Sequence, residues 1–421
     1  MTYIEFFDKI ASENVCACLT YTPDRVIYIG DTAKVIKKHI ERYETVFSER
    51  GKKIEFLYKI VVKDKLDEVV RMLTEIVETY DDCVFGVTGG EEIFVLALGM
   101  VYGRYPEKNI QIHKFNLKNN VVYDCDKDGN TIYKDTPKLS IEENVKIYGG
   151  DVVYGDINDD NTYVWDLNQE FVHDVDTIWK ISKCQTKTWN AQITFFGAIE
   201  GSGNIDCNNP LKTIVNRKVL ECYLDGHKIK YRRSKNIIDN LLKSGLLTCF
   251  YDCDNDETIV IEYKNEQIKK CLTKAGQALE MKIFLAAKNL RDDKGDFVYN
   301  DAMNGVVIDW DGEFHDENVE NEYDTENEID VMLMHGVVPV FISCKNGMFT
   351  ADELYKLNTV AERFGGPYSK KVLVTTYIEK MGALGEYLKQ RAKDMNIKLI
   401  DGVHNLEDAE LEKHLSSLWR V

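Results

Sequence analysis

Basic residues are in deficit in this chain. Its 421 residues include 53 lysines and arginines against 71 aspartates and glutamates, so the formal net charge is −18. A surface of that sign repels nucleic acid on average, which excludes a protein that coats nucleic acid without regard to sequence. Any binding of nucleic acid must therefore rely on a local basic groove or on bound metal ions.

Sequence signals of membrane insertion and secretion are also missing. No apolar run is long enough to span a bilayer, and the stretch from Met1 to Asp8 carries acidic residues rather than a basic leader. The 11 cysteines are scattered and odd in number, and no CxxC pair recurs at the spacing of a zinc ribbon. We therefore expect a cytoplasmic protein with reduced thiols and no contact with a membrane.

The composition is that of a folded protein with two or three domains. Hydrophobic residues make up 44% and charged residues 29% of the chain, and its length exceeds what one core usually holds. Strand and helix patterns alternate up to Phe115, and the clearest is an apolar stripe from Leu66 to Tyr80 at the spacing of an amphipathic helix. This alternation predicts an α/β fold with a mostly parallel sheet covered on both faces.

We divide the chain into three segments: a Rossmann-like domain at 1–150, a linker and winged-helix-like region at 151–272, and a C-terminal domain at 273–421. A hairpin is predicted over Val121–Tyr133, with its turn at Asp128-Gly129. In the middle segment a predicted helix over Ser234–Ser244 precedes two strands, which is the order of a winged helix. A spacer or dimerisation element with a solvated basic face fits the same pattern.

Candidate catalytic residues lie in the last segment. Glu280 falls on a predicted helix, Asp330 falls on a strand, and Lys345 ends the next strand. A divalent metal needs hard oxygen ligands from more than one element, which Asp330 and Glu280 can supply, and Lys345 can assist an attacking water and steady developing charge. Alternate residues of a strand share a face, so Glu328 joins Asp330 and Ser343 joins Lys345. The alternative is a packed sheet with a charged edge that arose by chance.

A candidate ligand site lies at the carboxyl edge of the N-terminal sheet. Glycines at a strand-to-helix junction let the backbone approach a phosphate, and the helix N-terminus offers free N–H groups. The loop after the first strand lies at the same edge, where open α/β sheets bind ligands. The candidate ligand-binding residues are Asp8, Lys9, Ser12, Thr88, Gly89, Gly90 and Glu91.

Both ends of the chain resemble one known family. The run from Asp82 through Thr88-Gly89-Gly90-Glu91 to Met100 resembles the sensor of CRISPR-associated Rossmann-fold (CARF) proteins. The stretches Gly276–Glu280 and Asn327–Gly347 resemble the PD-(D/E)xK nuclease to which that sensor is fused in ancillary effectors of type III CRISPR systems. The resemblance is weaker across residues 150–265. It also departs at Ser343, where the nuclease pattern has an acidic residue. Glu328 or Glu353 then has to supply the missing carboxylate, or the site is inactive or binds metal only weakly.

The resemblance implies a function in antiviral defence. Members of the family are homodimers that bind cyclic oligoadenylate, usually cyclic tetra-adenylate, across the two-fold axis. Binding activates Mn²⁺- or Mg²⁺-dependent cleavage of single-stranded RNA or DNA, or nicking of duplex DNA. In this chain the metal ligands implied are Asp330 and Glu280, with Lys345 as the catalytic lysine.

Two other functions remain open on the sequence. The first is a ligand-responsive transcription factor, in which a CARF sensor controls a winged-helix reader and Ser343 marks an inactive nuclease. The second is a nucleotide-dependent metabolic enzyme on a Rossmann-like domain. The missing GxGxxG fingerprint argues against the second.

Overall fold

The computed structural model describes residues 1–117, 121–125, 137–253, 256–313, 315 and 325–419. These residues form three β-sheets flanked by helices, which confirms the α/β class. The turn at Asp128-Gly129 and the second strand of the hairpin predicted around it lie outside the described residues. No helix in the described part of the chain is both long enough and apolar enough to cross a lipid bilayer.

The N-terminal sheet has the order β3-β2-β1-β4-β5-β6, with β1 to β5 parallel and β6 antiparallel at the edge. Its strands are β1 (Thr2–Phe6), β2 (Arg25–Gly30), β3 (Glu55–Ile60), β4 (Cys83–Gly86), β5 (Gln111–Asn116) and β6 (Val121–Asp124). The connecting helices are α1 (Ala11–Tyr21), α2 (Ala33–Glu49), α3 (Leu66–Thr79) and α4 (Glu92–Arg104). The predicted apolar stripe is the buried face of α3. Because the strands are parallel, α1, α2 and α4 all begin at the same edge of the sheet.

Two short elements lead from the first sheet to the rest of the chain. Helix α5 (Ile141–Tyr148) begins with a capping box between Ser140 and Glu143, which satisfies free N–H groups at its start. The two-residue strand β7 (Asp151–Val152) then pairs with a strand of the C-terminal sheet. The chain after residue 150 therefore joins the C-terminal sheet before the middle region begins, and the three-segment division stays a prediction.

The middle region combines helices with an antiparallel four-stranded sheet of order β10-β11-β9-β8. Its elements are α6 (Gln169–Lys183), α7 (Thr186–Ser202), β8 (Asn204–Asp206), β9 (Asn209–Asn216), α8 (Arg217–Gly226), α9 (Lys235–Lys243), β10 (Leu247–Asp252), β11 (Thr258–Tyr263) and α10 (Glu266–Thr273). Helix α9 is followed by the β10–β11 hairpin, and β9 pairs with β11, an arrangement compatible with the predicted winged-helix order.

The C-terminal sheet has the order β16-β15-β14-β13-β12-β7, with β14, β15 and β16 parallel to one another. Its remaining elements are α11 (Gln277–Lys288), β12 (Asp301–Asp309), β13 (Glu326–His335), β14 (Val338–Lys345), α12 (Ala351–Gly365), β15 (Lys370–Thr375), α13 (Ala383–Asp394), β16 (Ile397–Ile400) and α14 (Asp408–Ser416).

Buried apolar side chains connect the three sheets. One cluster contains Tyr43 and Phe47 of the N-terminal region together with Phe341 and Phe364 of the C-terminal region. A second cluster joins the middle region to the opposite face of the C-terminal sheet. The C-terminal sheet therefore shares one hydrophobic core with the N-terminal region and another with the middle region. Because such cores are close-packed, movement of either region shifts side chains on the C-terminal sheet.

Candidate metal centre and ligand cavity

Three predicted carboxylates meet at the C-terminal sheet. Glu280 on α11 and Glu328 and Asp330 on β13 each place a carboxylate oxygen within 4.8 Å of the others. Glu328 and Asp330 share a face because two positions separate them on the strand. The cluster thus supplies three hard oxygen donors from two elements, which is the donor set that Mg²⁺ or Mn²⁺ prefers.

The first turn of α11 positions Glu280 in the cluster. Gly276 has a φ of +96°, and a Cβ built there would lie 2.8 Å from Glu280 Oε1, so both backbone conformation and space favour glycine. Glu280 is only 5% exposed, and its Oε2 has no hydrogen-bond partner among the described residues. A buried carboxylate oxygen without a partner is costly, and a bound cation would remove that cost.

Asp330 is fixed by the neighbouring strand. Its Oδ2 accepts hydrogen bonds from the backbone N–H of Cys344 at 2.6 Å and from Ser343 Oγ at 3.2 Å. Its backbone carbonyl accepts one from Asn304 Nδ2 at 2.8 Å. Ser343 therefore orients the carboxylate of Asp330, while Glu328 supplies the third carboxylate of the cluster.

Two lysines border the carboxylates. Lys345 Nζ lies 2.9 Å from Glu353 Oε2 and 3.7 Å from Asp330 Oδ2, and Lys274 Nζ lies 2.5 Å from Glu328 Oε1. Burial acts to lower the pKa of Lys345, but Asp330 and Glu353 outweigh it, and the pKa is raised above its usual value. Lys345 is thus held as a cation beside the cluster, and Glu353 serves as its partner.

The carboxylates crowd one another. Burial, and then the charge of Asp330, raises the pKa of Glu280 well above its ordinary value. Burial also raises the pKa of Asp330, against the opposing effect of Lys345. Removing a proton from this cluster is therefore unfavourable until positive charge enters it, and the geometry fits a divalent cation on that ground.

A cavity of about 360 Å³ lies at the carboxyl edge of the N-terminal sheet. Of the predicted ligand residues, Asp8, Lys9, Gly90 and Glu91 line it. Gly90 has a φ of +90°, and a Cβ there would lie 2.5 Å from Phe6 Cβ, so this turn requires glycine.

Three other predicted ligand residues have structural contacts instead. Thr88 Oγ1 accepts a hydrogen bond from the backbone N–H of Phe115 at 2.9 Å, and Ser12 is buried with its Oγ 3.4 Å from Tyr148 Oη. Gly89 packs against Asp8 and Glu13. Thr88, Ser12 and Gly89 do not line this cavity, and their part in ligand binding stays a prediction.

Sequence reasoning missed part of the cavity. Asp31 and Thr32 follow β2, Lys63 follows β3, and all three line the space. Lys63 Nζ lies 2.7 Å from Glu91 Oε1 and 3.5 Å from Asp31 Oδ2. The missed signal was topological, since the loops after all parallel strands meet at one edge of the sheet.

One side chain links this edge to the C-terminal region. Tyr368, just after α12, donates a hydrogen bond to Glu13 Oε1 at 2.8 Å. A Cβ at Gly89 would lie 2.9 Å from Glu13 Oε2, so Glu13 lies directly behind the glycine turn. Burial raises the pKa of Glu13 to about 7, although the Tyr368 hydrogen bond opposes the shift.

Comparison with known proteins supports the fold from end to end. No protein-family model and no curated protein matches the sequence. Among solved structures, protein VC1899 from Vibrio cholerae has a TM-score of 0.71 and 17% identity, over 100% of this chain and 98% of that one. Can2 from Sulfobacillus thermosulfidooxidans, solved in complex with cyclic tetra-adenylate, has a TM-score of 0.64 and 17% identity, over 99% and 96%. The chain therefore has, along its whole length, the fold of a protein solved with cyclic tetra-adenylate, in agreement with the resemblance drawn from its motifs.

Proposed function

We propose that this protein is a nuclease of type III CRISPR defence that requires a divalent metal and is activated by cyclic oligoadenylate, with cyclic tetra-adenylate as the first candidate. The observation that carries the proposal is the convergence of Glu280, Glu328, Asp330 and Lys345 at one point of the C-terminal sheet. Three carboxylates beside a half-buried lysine suit phosphodiester hydrolysis, because they combine a metal site with a separate cation.

The proposed roles follow from the contacts. Glu280, Glu328 and Asp330 would hold Mg²⁺ or Mn²⁺, which when bound polarises the scissile phosphate. Ser343 and the Cys344 N–H keep the Asp330 carboxylate in place. Lys345, oriented by Glu353, donates hydrogen bonds to the attacking water and to the phosphate oxygens that gain charge.

The N-terminal cavity is the proposed activator site. Helices α1, α2 and α4 begin at its edge, and helix N-termini favour phosphate groups. Lys9 and Lys63 line the cavity together with Asp8, Asp31 and Glu91, and Lys63 is paired with Glu91 and Asp31. The cyclic tetra-adenylate complex of Can2 is consistent with this assignment.

Helix α4 offers a surface for the homodimer. Val95 and Leu96 are 48% and 57% exposed, Met100 is 38% exposed, and no atom lies within 4 Å of a Cβ built at Gly99 or Gly103. An apolar strip with small residues suits packing against a second copy. Because the same helix begins at the cavity, pairing there would bring two cavities together beneath one ring.

One experiment tests the whole proposal. Purified protein is incubated with cyclic tri-, tetra- or hexa-adenylate, with Mn²⁺, Mg²⁺ or EDTA, and with labelled single-stranded RNA, single-stranded DNA or supercoiled plasmid. We expect cleavage only with metal and one ring size. Cleavage that ignores every ring would refute the sensor assignment, and no cleavage under any combination would refute the enzyme.

The alternative is a ligand-responsive DNA-binding regulator. Its support is the α9–β10–β11 arrangement, with Arg232, Lys235 and Lys243 exposed around it, together with Ser343 at a position that is acidic in the nuclease pattern. Shifts of duplex DNA that depend on cyclic oligoadenylate, without cleavage in Mn²⁺, would favour this function.

A further inference from the structure

A second cavity, of about 370 Å³, lies between the end of α13, the starts of β15 and β16, and the C-terminal residues Ser417 and Leu418. Lysines dominate it, and none of the described residues that line it is acidic. The lysines are Lys370, Lys371, Lys389, Lys393 and Lys398. We call this space the lysine cavity.

The charge of the lysine cavity is not typical of this molecule. The chain carries a net charge of −18. Another surface depression contains Lys52 and Lys53 but is balanced by Asp24, Glu44 and Glu55. The lysine cavity lacks such balance among its described lining residues, so its positive charge is local and concentrated.

Neutral partners hold two of the lysines in place. Lys398 Nζ donates to Ser417 Oγ at 2.6 Å, and Lys371 Nζ donates to Asn358 Oδ1 at 2.6 Å. Burial and then the charge of Lys370 lower the pKa of Lys398, and burial lowers the pKa of Lys371. Lys389 pairs with Glu386, which does not line the cavity. Lys371 and Lys398 therefore have neutral hydrogen-bond partners, and an incoming anion would stabilise their charged forms.

The lysine cavity lies apart from the metal centre. Lys345 pairs with Thr375 across the β14–β15 ladder, and Lys370 pairs with Val340. Five residues of strand separate the two positions, which corresponds to about 16 Å. The lysines therefore do not belong to the carboxylate cluster, and one phosphate cannot contact both places.

We propose that the lysine cavity binds phosphate groups of the nucleic-acid strand, as a contact separate from the scissile phosphate. This inference rests on the proposed nuclease function. Lysine contacts to phosphates supply affinity that is independent of base sequence and sensitive to salt. In an acidic protein such a contact would offset the general repulsion of the substrate.

The test removes the charges of two lysines whose side chains contribute little to folding. A Lys389→Gln/Lys393→Gln variant is compared with wild type in EDTA, where no metal-dependent cleavage occurs. The measurement is the fluorescence anisotropy of labelled single-stranded RNA and DNA over a series of salt concentrations. We expect binding to weaken about tenfold, and the slope of log K against log salt to fall by about 1.4 in magnitude, or 0.7 for each lost phosphate contact.

A matched control removes the same charge elsewhere. Lys53→Gln/Lys218→Gln alters two exposed lysines and should leave affinity within about twofold. The proposal fails if both double variants bind equally well, or if the salt slope is unchanged. Free phosphate is the remaining possible ligand. If inorganic phosphate binds wild type but not the Lys389→Gln/Lys393→Gln variant, with chloride of equal ionic strength as the reference, and both proteins bind the strand equally well, then the cavity takes free phosphate and the proposal fails.

The test can also be separated from failure of the proposed function. Salt-dependent binding through these lysines, together with no cleavage under any activator, would refute the proposed nuclease function but support the strand contact at the lysine cavity. Normal activated cleavage with unaltered strand binding in the Lys389→Gln/Lys393→Gln variant would support the nuclease function but refute the strand contact at the lysine cavity.

Discussion

Two groups of buried carboxylates lie in different electrostatic surroundings. Near the C-terminus, Glu280 and Asp330 are bordered by Lys345 and Lys274. In the N-terminal sheet, both carboxylate oxygens of Glu5 are buried without a hydrogen-bond partner among the described residues, and burial followed by the charge of Glu13 raises its pKa well above the ordinary value.

The difference shows that burial alone does not define a metal site. The C-terminal group combines carboxylates on adjacent elements with lysines that keep part of the charge ionised, so it can accept a cation. Among the described residues, the side-chain partner of the N-terminal group is the hydroxyl of Tyr368, which donates to Glu13, so this group favours neutral acids. The C-terminal arrangement suits metal-dependent hydrolysis. The N-terminal arrangement suits a change of protonation when the adjacent cavity changes.

The largest expected effect tests the C-terminal side of this comparison. Asp330→Asn removes a charge needed to hold the metal and should reduce activated cleavage about a thousandfold, or roughly 4 kcal/mol of barrier. Cleavage rates at saturating activator provide the measurement. Asp352→Asn, an exposed neighbour at the start of α12, should cleave normally. Equal rates for the two variants would remove Asp330 from the site.

The next effect tests the N-terminal side. The pKa of Glu13 in the folded protein is about 7, above that of the unfolded chain, so its contribution to stability is present at low pH and is lost as pH rises through 7. From pH 5 to 8 this costs about 2.5 kcal/mol, most of it below pH 7. Glu13→Gln should flatten that decline in the free energy of unfolding, measured by urea denaturation. An unchanged pH profile would show that Glu13 is already ionised.

A smaller effect separates the two groups directly. Glu280→Gln replaces a buried carboxyl, whose pKa is raised by burial, with a neutral amide of similar size, so the Tm of the metal-free protein should stay within about 1 °C of wild type. The rise in Tm that Mn²⁺ causes in wild type should disappear. Thermal unfolding with EDTA and with Mn²⁺ measures both, and Glu326→Gln on the same sheet is the control. A loss of Tm without metal would identify Glu280 as a structural group.

The smallest effect concerns the contact between the regions. Tyr368→Phe removes the hydrogen bond to Glu13 and should weaken activation by cyclic oligoadenylate about fivefold, roughly 1 kcal/mol of coupling. Ligand affinity is followed by calorimetry and activation by cleavage rates. Tyr355→Phe, at an exposed position of α12, should change neither. Full activation of Tyr368→Phe would show that the signal travels through other contacts.

Regular patterns made the carboxylate cluster predictable from the sequence. Alternation along a strand places Glu328 beside Asp330 and Ser343 beside Lys345, and the structure brings all four together with Glu280. Ser343 marked a departure from the family pattern, and its hydrogen bond to Asp330 explains how serine fits there. Alternation and helical spacing are local properties, so they can be read from sequence.

Contacts between elements far apart in the sequence were beyond that reasoning. Glu13 and Tyr368 are separated by 355 positions, and no periodic pattern connects them. Sequence patterns also do not fix the start of α11, which begins at Gln277 after the positive φ of Gly276. Packing and single turns decide such details, and both depend on the assembled structure.

The shared hydrophobic cores have a consequence for dissecting the molecule. A fragment cut after residue 150 would uncover Tyr43 and Phe47, which pack in one cluster with Phe341 and Phe364. Such a fragment would expose an apolar patch and would be prone to aggregate. Exchanging the N-terminal region between proteins of this fold therefore requires transferring the C-terminal residues that pack against it as well.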